Sequence, residues 1–116
     1  MQIHVKGRNI PVTDEFRINV ERRFGKVSRQ VSDLARLEVE IFEERNPANP
    51  DCKVVEATLY LKGVTLRARD ASRDLLHSLN LVEEELSVQV KRHRDKRRHR
   101  REQRAAAPKT QPSTAM

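Results

Sequence analysis

Cysteine, glycine and aromatic residues are scarce in this chain of 116 residues, and tryptophan is absent. The lone Cys52 can form neither an internal disulfide nor a cysteine-based zinc site. The glycines Gly7, Gly25 and Gly63 are too far apart for a Gly-rich phosphate-binding loop. No apolar run approaches the ~20 residues that span a bilayer, and the N-terminus lacks the apolar segment of a secretory signal peptide. These absences predict a cytoplasmic protein without a membrane partner.

Side chains that could carry out chemistry are not grouped as catalysis requires. His93 and His99 lack the i, i+4 spacing of a helical metal pair and lie among cations that would repel a metal ion. His4 and His77 are isolated, so no nucleophile and base can be paired. The runs of glutamate are better explained as a solvated strand end and a solvated helix face. The sequence therefore predicts no enzyme, no metal site, no cofactor and no small-molecule substrate.

Charge, in contrast, is abundant and unevenly distributed. The chain has 24 Lys and Arg against 17 Asp and Glu, for a net charge of +7. Residues 91–104, here called the basic extension, contain nine basic and two acidic residues, whereas residues 1–90 contain 14 basic and 15 acidic ones. Such a block favours a polyanion, and nucleic acid is the commonest polyanion in a cytosol. A localisation signal or a solubilising tail would give a similar run.

The N-terminal part of the chain predicts a strand, a helix and a second strand. Apolar residues alternate with polar ones in residues 3–6 and again in residues 37–41. Between them, Thr13 is the expected N-cap of a helix. The apolar stripe of that helix is Phe16, Val20, Phe24, Val27 and Val31. Its opposite face carries Arg22, Lys26 and Arg29, with Arg23 at the border.

The C-terminal part predicts a hairpin and a second helix. Two alternating segments, 55–61 and 64–69, are joined by a turn at Lys62-Gly63 and share one apolar face. We expect the helix to begin near Ser72 as its N-cap. Its apolar stripe is Leu75, Leu79, Val82, Leu86 and Val90. Helix-favouring residues continue to Arg104, and residues 105–116, with two prolines and no apolar period, should be disordered.

The order β-α-β-β-β-α predicts a two-layer α+β domain, with two helices on one face of a four-stranded sheet. We expect this domain over residues 1–90, the basic extension over 91–104 as a continuation of the second helix, and a tail over 105–116. The few aromatic side chains argue against single-strand recognition by base stacking, so recognition of backbone and shape fits better.

With these elements in order, the chain resembles the ribosome hibernation promoting factor family, in its short form that includes the ribosome-associated inhibitor. VKGRN followed by VTDEFRINVERRFGKV is similar to the family's first strand and helix, and VVEATLYLKGVTLRARDASRDLL to its hairpin and second helix. The resemblance implies a fold similar to a double-stranded-RNA-binding domain. It also implies a site on the small ribosomal subunit, where the protein occludes the mRNA and tRNA channel during stress or stationary phase.

The resemblance places family basic positions at Arg23, Lys26 and Arg29 in the first helix, and at Lys91, Arg92 and Lys96 in the second. Together with their basic neighbours, they form the predicted rRNA-binding set: Arg22, Arg23, Lys26, Arg29, Lys91, Arg92, Arg94, Lys96, Arg97, Arg98, Arg100 and Arg101. Two residues depart from the family, because Glu85 and Val88 stand where cations are usual. The basic extension would compensate for them.

The expected partner is thus the small ribosomal subunit and its rRNA, bound by a chain that is monomeric off the ribosome. Long family members add a domain that pairs two ribosomes, and none is expected after Arg104. Two alternatives stay open. One is a general double-stranded-RNA-binding module, although such modules usually start their second helix with lysines rather than Ser72-Arg73-Asp74. The other is a protein-interaction domain that the basic extension merely solubilises.

Overall fold

Four strands form one mixed sheet in the order β1-β2-β3-β4. They are β1 (Gln2–Gly7), β2 (Arg36–Glu43), β3 (Lys53–Leu61) and β4 (Val64–Ser72). β1 pairs parallel with β2, and the other two pairs are antiparallel. This computed structural model describes residues 1–45 and 48–114, with side chains described as far as residue 98. The fold confirms the predicted α+β architecture.

The first helical segment starts as predicted but is divided. The Thr13 hydroxyl accepts a hydrogen bond from the Phe16 amide at 3.1 Å, which confirms Thr13 as the N-cap of α1 (Asp14–Arg23). The helix is interrupted at Phe24, and a single further turn forms α2 (Gly25–Ser28). One continuous helix was expected here. The interruption adjoins Gly25, the residue with the lowest helix propensity in the segment.

The long helix α3 (Leu75–Thr114) begins later than predicted. Ser72 is the last residue of β4 and pairs with Lys53 of β3, so its backbone is still extended. The Ser72 hydroxyl accepts from the Asp74 amide at 3.2 Å, and the Asp74 carboxylate accepts from the His77 amide at 3.3 Å. The prediction of Ser72 as N-cap is therefore wrong, because strand pairing holds Ser72 and the chain needs two more residues to turn into the helix.

The core lies between the helices and one sheet face. The apolar stripes meet there with the inward residues of β2 and β3: Phe16, Val20, Phe24, Val27, Leu37, Val39, Ile41, Val55, Ala57, Leu59, Leu79, Val82, Leu86 and Val90. Val31 lies partly buried at the edge of this cluster. Among the side chains that the structure describes, Val90 is the last residue of α3 in this core.

A second, smaller apolar site lies on the other face of the sheet, away from the helices. Phe42 and Val54 are opposite one another in β2 and β3, and both are buried. Arg8 and Arg69 cover the Phe42 ring, with their guanidinium carbons 4.2 and 5.3 Å from its centre. Because arginine can cover an aromatic ring with its planar cation, Phe42 is shielded without a helix.

The end of α3 differs from the prediction. Its helical trace continues to Thr114, where the sequence predicted a disordered tail over residues 105–116. Pro108 and Pro112 lie within this stretch and each lacks the amide proton that would donate to the preceding turn. Residues 115 and 116 lie outside the described part, and the division into residues 1–90, 91–104 and 105–116 stays a prediction.

Candidate nucleic-acid interface

The helices bring their basic ends to the same end of the sheet. Gln2 pairs with Arg36, so α1 and α2 carry the chain from the end of β1 back to the start of β2. α3 follows the end of β4 and runs in the same direction, and from Val90 onward it lies beside Leu61 and Lys62 at the end of β3. We call this part of the molecule, where β2 starts and β3 ends, the basic end.

The four predicted cations of the first helical segment lie close to the basic end. Arg22 and Arg23 occupy the last turn of α1, Lys26 lies in α2, and Arg29 caps α2, where cations also interact favourably with the helix dipole. All four are exposed. The Arg29 side chain donates to the Gly25 carbonyl at 3.3 Å. Within the described residues, none of these four side chains forms an ion pair with a carboxylate.

The basic extension surrounds its helix with cations. Six of the predicted side chains are exposed: Lys91, Arg92, Arg94, Lys96, Arg97 and Arg98. Arg100 and Arg101 lie further along the same helix, where only the backbone is described. None of these six side chains forms an ion pair with an Asp or Glu whose side chain is described. In contrast, Arg8, Arg36, Lys53 and Arg69, in or next to the strands, have carboxylate partners, whereas the strand residues Lys6 and Arg67 have none among the described side chains.

A cleft at the basic end was not predicted. We call it the basic cleft; it encloses about 320 Å³ and is lined by Gln30, Val31, Ser32, Leu61, Lys62, Val90, His93, Arg94, Arg97 and Arg98. It arises because the α3 stripe continues past Val90 with His93 and Arg97. These residues face the domain but are too polar to enter its core. That change of residue type along one helical face was the available signal in the sequence.

The middle of α3 is acidic and lacks such a surface. Glu84, Glu85 and Val88 are exposed there. Partial burial, and then interaction with the Asp70 carboxyl of β4, raise the pKa of Glu85 above its ordinary value. The Asp70 Oδ2 atom is buried and has no hydrogen-bond partner within the described residues. Glu85 and Val88, the two residues that depart from the family pattern, thus lie in a part of α3 that has no cation with which to bind a phosphate.

Other reactive groups lie away from the basic end and are partnered. Lys53 donates to Glu43 at 2.9 Å, and this hydrogen bond lowers the pKa of Glu43 and raises the pKa of Lys53. Cys52 is half-buried beside the same glutamate, 3.9 Å from its carboxylate. Over residues 1–45 and 48–98, no three His, Cys, Asp or Glu side chains are grouped so as to hold a metal ion.

Comparison with known proteins assigns the family. The family model described as "Sigma 54 modulation protein / S30EA ribosomal protein" matches residues 3–98. The chain belongs to this family. Its S30EA membership agrees with the resemblance in the sequence, since several curated relatives are hibernation factors by name.

The relatives are longer than this S30EA chain. It is 34% identical over 112 residues to the "Ribosome hibernation promotion factor" of Lactococcus lactis subsp. cremoris, covering 93% of this chain and 56% of the relative. Proteins of the same name from Picosynechococcus and Staphylococcus aureus are 27% and 29% identical, covering 83% and 81% of this chain and 50% and 48% of the relatives. The chain thus spans about half the length of the curated relatives it matches.

Solved structures share the fold of this S30EA chain. A ribosomal subunit interface protein from Coxiella burnetii has a TM-score of 0.69 at 19% identity, covering 82% of this chain and 99% of that one. The N-terminal domain of Thermus thermophilus Protein Y has a TM-score of 0.69 at 24% identity, with 80% and 99% covered. Similarity to a double-stranded-RNA-binding domain stays a prediction. No helix in the described part of the chain is long and apolar enough to cross a membrane.

Proposed function

We propose that this protein is a ribosome hibernation factor of the cytoplasm. It binds the rRNA of the small ribosomal subunit in the decoding channel and keeps ribosomes inactive under stress or in stationary phase. The S30EA family and the names of the relatives support the hibernation role. The basic end supports an RNA partner.

One observation carries the RNA-binding part of the proposal. The predicted cations of α1, α2 and the basic extension converge on one end of the domain and lack carboxylate partners in its described part, whereas four cations in or next to the strands, Arg8, Arg36, Lys53 and Arg69, are paired. An unpaired cation that meets a phosphate releases counterions, and several such contacts give strong, salt-dependent binding. A merely solubilising tail would not require the cations of α1 and α2 to lie beside it.

The mechanism is competitive occupancy. The folded domain supplies bulk, and the basic end supplies affinity for the rRNA that lines the path of mRNA and tRNA. Since no bond is made or broken, the protein acts without a catalytic residue, cofactor or metal ion. Residues 1–90 provide the ribosome-binding domain. The residues proposed to contact the rRNA are the twelve cations of the predicted rRNA-binding set, the first of which is Arg22 and the last Arg101. Off the ribosome the chain is a monomer.

Co-sedimentation with isolated small subunits tests the proposal. Purified protein and subunits are centrifuged through sucrose with either mRNA plus excess tRNA or duplex RNA as competitor. We expect stoichiometric retention that mRNA and tRNA displace and duplex RNA does not. Equal displacement by duplex RNA would instead identify a general double-stranded-RNA-binding module. Absence of retention would contradict any ribosomal role.

A further inference from the structure

The basic cleft combines two kinds of surface that a purely electrostatic contact does not need. Its apolar part consists of Val31, Leu61 and Val90, and its cations include Lys62 and Arg94. Phosphate contacts alone require only cations, which the exposed faces of the basic extension already provide. An apolar floor below a cationic rim therefore indicates a ligand with a flat apolar part joined to an anion.

The polar side chains that line the cleft indicate which hydrogen-bonding groups the ligand carries. The side-chain amide of Gln30 can both donate and accept, and it forms no hydrogen bond with another described residue. The Ser32 hydroxyl accepts from the Leu34 amide at 3.1 Å and keeps its proton free to donate. His93 is half-buried, and its ring adds a flat surface at the wall. A base edge presents both donors and acceptors, whereas a carboxylate would use donors alone.

We propose that the basic cleft holds one unpaired nucleotide of the bound RNA, with its base against Val31, Leu61 and Val90 and its phosphate against Lys62, Arg94 and Arg97. The inference rests on the proposed function and names the part of the RNA that this end of the molecule recognises. It departs from the expectation of backbone and shape recognition alone, because the cleft supplies aliphatic side chains for a base where aromatic ones are few. A base inside a duplex is stacked and cannot enter a cleft, so the ligand is single-stranded or extruded. The volume of about 320 Å³ lies at the small end of ligand pockets.

The surface beside the cleft supports a strand rather than an isolated anion. A second hollow of about 710 Å³ shares Leu61, Lys62 and Arg97 with the basic cleft. Its wall includes the Tyr60 ring, with the Arg36 guanidinium 4.5 Å from the ring centre. Arginine and aromatic rings both stack on bases. A nucleotide adjacent to the first would thus meet a surface for stacking, which the Glu38 carboxylate flanks through its contacts with Tyr60 and Arg36.

The test compares two labelled strands of equal phosphate number, a single-stranded oligoribonucleotide and an abasic ribose-phosphate strand, by fluorescence anisotropy at one ionic strength. We expect the base-bearing strand to bind about five- to tenfold more tightly. In the double variant Gln30→Ala/His93→Ala, this preference should disappear while affinity for the abasic strand stays unchanged. The matched control is His4→Ala/His77→Ala, which changes two exposed side chains outside the cleft and should keep the preference.

A second variant separates the cleft from general charge. Lys62→Glu should weaken binding of the base-bearing strand more than Lys6→Glu, since both reverse one exposed lysine but only Lys62 lines the cleft. Equal binding of the two strands by wild-type protein would overturn the inference, as would a preference that survives in Gln30→Ala/His93→Ala. If poly-glutamate displaces the RNA from wild-type protein, and Gln30→Ala/His93→Ala loses affinity for poly-glutamate, the cleft would be a site for an acidic peptide and the inference would be overturned.

Failure of the inference and failure of the proposed function remain distinguishable. If wild-type protein co-sediments with small subunits but does not distinguish the two strands, only the nucleotide site is wrong. If it distinguishes the strands but does not co-sediment, the cleft recognises RNA and the ribosomal role is wrong.

Discussion

Glu85 lies in an environment that raises the pKa of its carboxyl group above the ordinary value. Its raised pKa means that the folded state binds a proton more readily than the unfolded chain does. The contribution of Glu85 to folding stability is therefore greatest when its carboxyl group is protonated. It declines as the pH rises from the ordinary carboxyl value of 4.5 through the raised folded value.

We predict that Glu85→Gln stabilises the protein at neutral pH, because it removes the negative charge beside Asp70. The gain should be at most about 1 kcal/mol, since Glu85 is largely exposed, and it should shrink as the pH falls through the raised folded pKa towards the ordinary value of 4.5. Thermal denaturation followed by circular dichroism across this range measures it. Glu84→Gln, a neighbouring exposed residue, is the control and should show a smaller effect. Equal stabilisation by both variants would contradict the interaction with Asp70.

Gly25 and Gly7 differ in whether their surroundings leave space for a side chain. A methyl group at Gly25 would meet nothing within 4 Å, and Gly25 has no positive φ. A methyl group at Gly7 would collide with the Ile10 carbonyl. We predict that Gly25→Ala stabilises the fold by about 0.4–1 kcal/mol and that Gly7→Ala destabilises it by about 2–3 kcal/mol. Urea denaturation of both variants checks the pair, and destabilisation by Gly25→Ala would show that α1 and α2 need their interruption.

At the scale of elements, α3 is held to the sheet by buried hydroxyl groups near its start. Ser78 is fully buried, and its hydroxyl donates to the Lys53 carbonyl at 2.7 Å and lies 2.8 Å from the Ser72 hydroxyl. Further along, the side-chain amide of Gln89 donates to the Arg67 carbonyl at 2.6 Å. These bonds fix the direction in which α3 carries the basic extension.

We predict that Ser78→Ala costs about 1–3 kcal/mol, since it leaves buried polar atoms at Lys53 and Ser72 with fewer partners. Ser28→Ala in α2 is the matched control, because no hydrogen bond of the Ser28 side chain is found in the described residues, and it should cost less than about 0.5 kcal/mol. Urea midpoints give both values. A Ser78→Ala variant as stable as the control would contradict the role of this hydroxyl cluster.

The same scale shows how far the sequence predicts the fold. Alternation and helical stripes gave the order and type of the elements, because each element buries one face in the core. Periodicity could not locate the interruption at Phe24, which leaves the apolar stripe in phase. Nor could it show that Ser72 stays in the strand, since a serine fits both places. Phe42 was missed as a buried residue because Arg8, distant in sequence, provides its cover.

The sequence indicates the positive charge of the candidate site but not the cleft within it. The cations from Arg22 to Arg98 are visible in the sequence because charge is a property of the residue. The basic cleft depends on Gln30, Lys62 and His93, which come from three separate segments. Only the tertiary arrangement brings these segments together.

At the scale of the whole molecule, the account depends on where the cations lie rather than on how many there are. We predict that Arg97→Glu/Arg98→Glu weakens binding to small subunits more than tenfold and lowers the slope of log affinity against log salt by roughly one per lost phosphate contact. The matched control, Lys6→Glu/Arg67→Glu, reverses two exposed cations on the sheet and should have a much smaller effect. Equal losses would mean that net charge alone governs binding.

Chemical footprinting of the small-subunit rRNA tests the central claim most directly. The subunit is probed alone, with this protein, and with mRNA and tRNA in its place. We predict that the protein protects nucleotides in the decoding channel that mRNA and tRNA also protect, and that adding both ligands in excess removes its footprint. A footprint outside this channel, or no footprint at stoichiometric occupancy, would contradict the account.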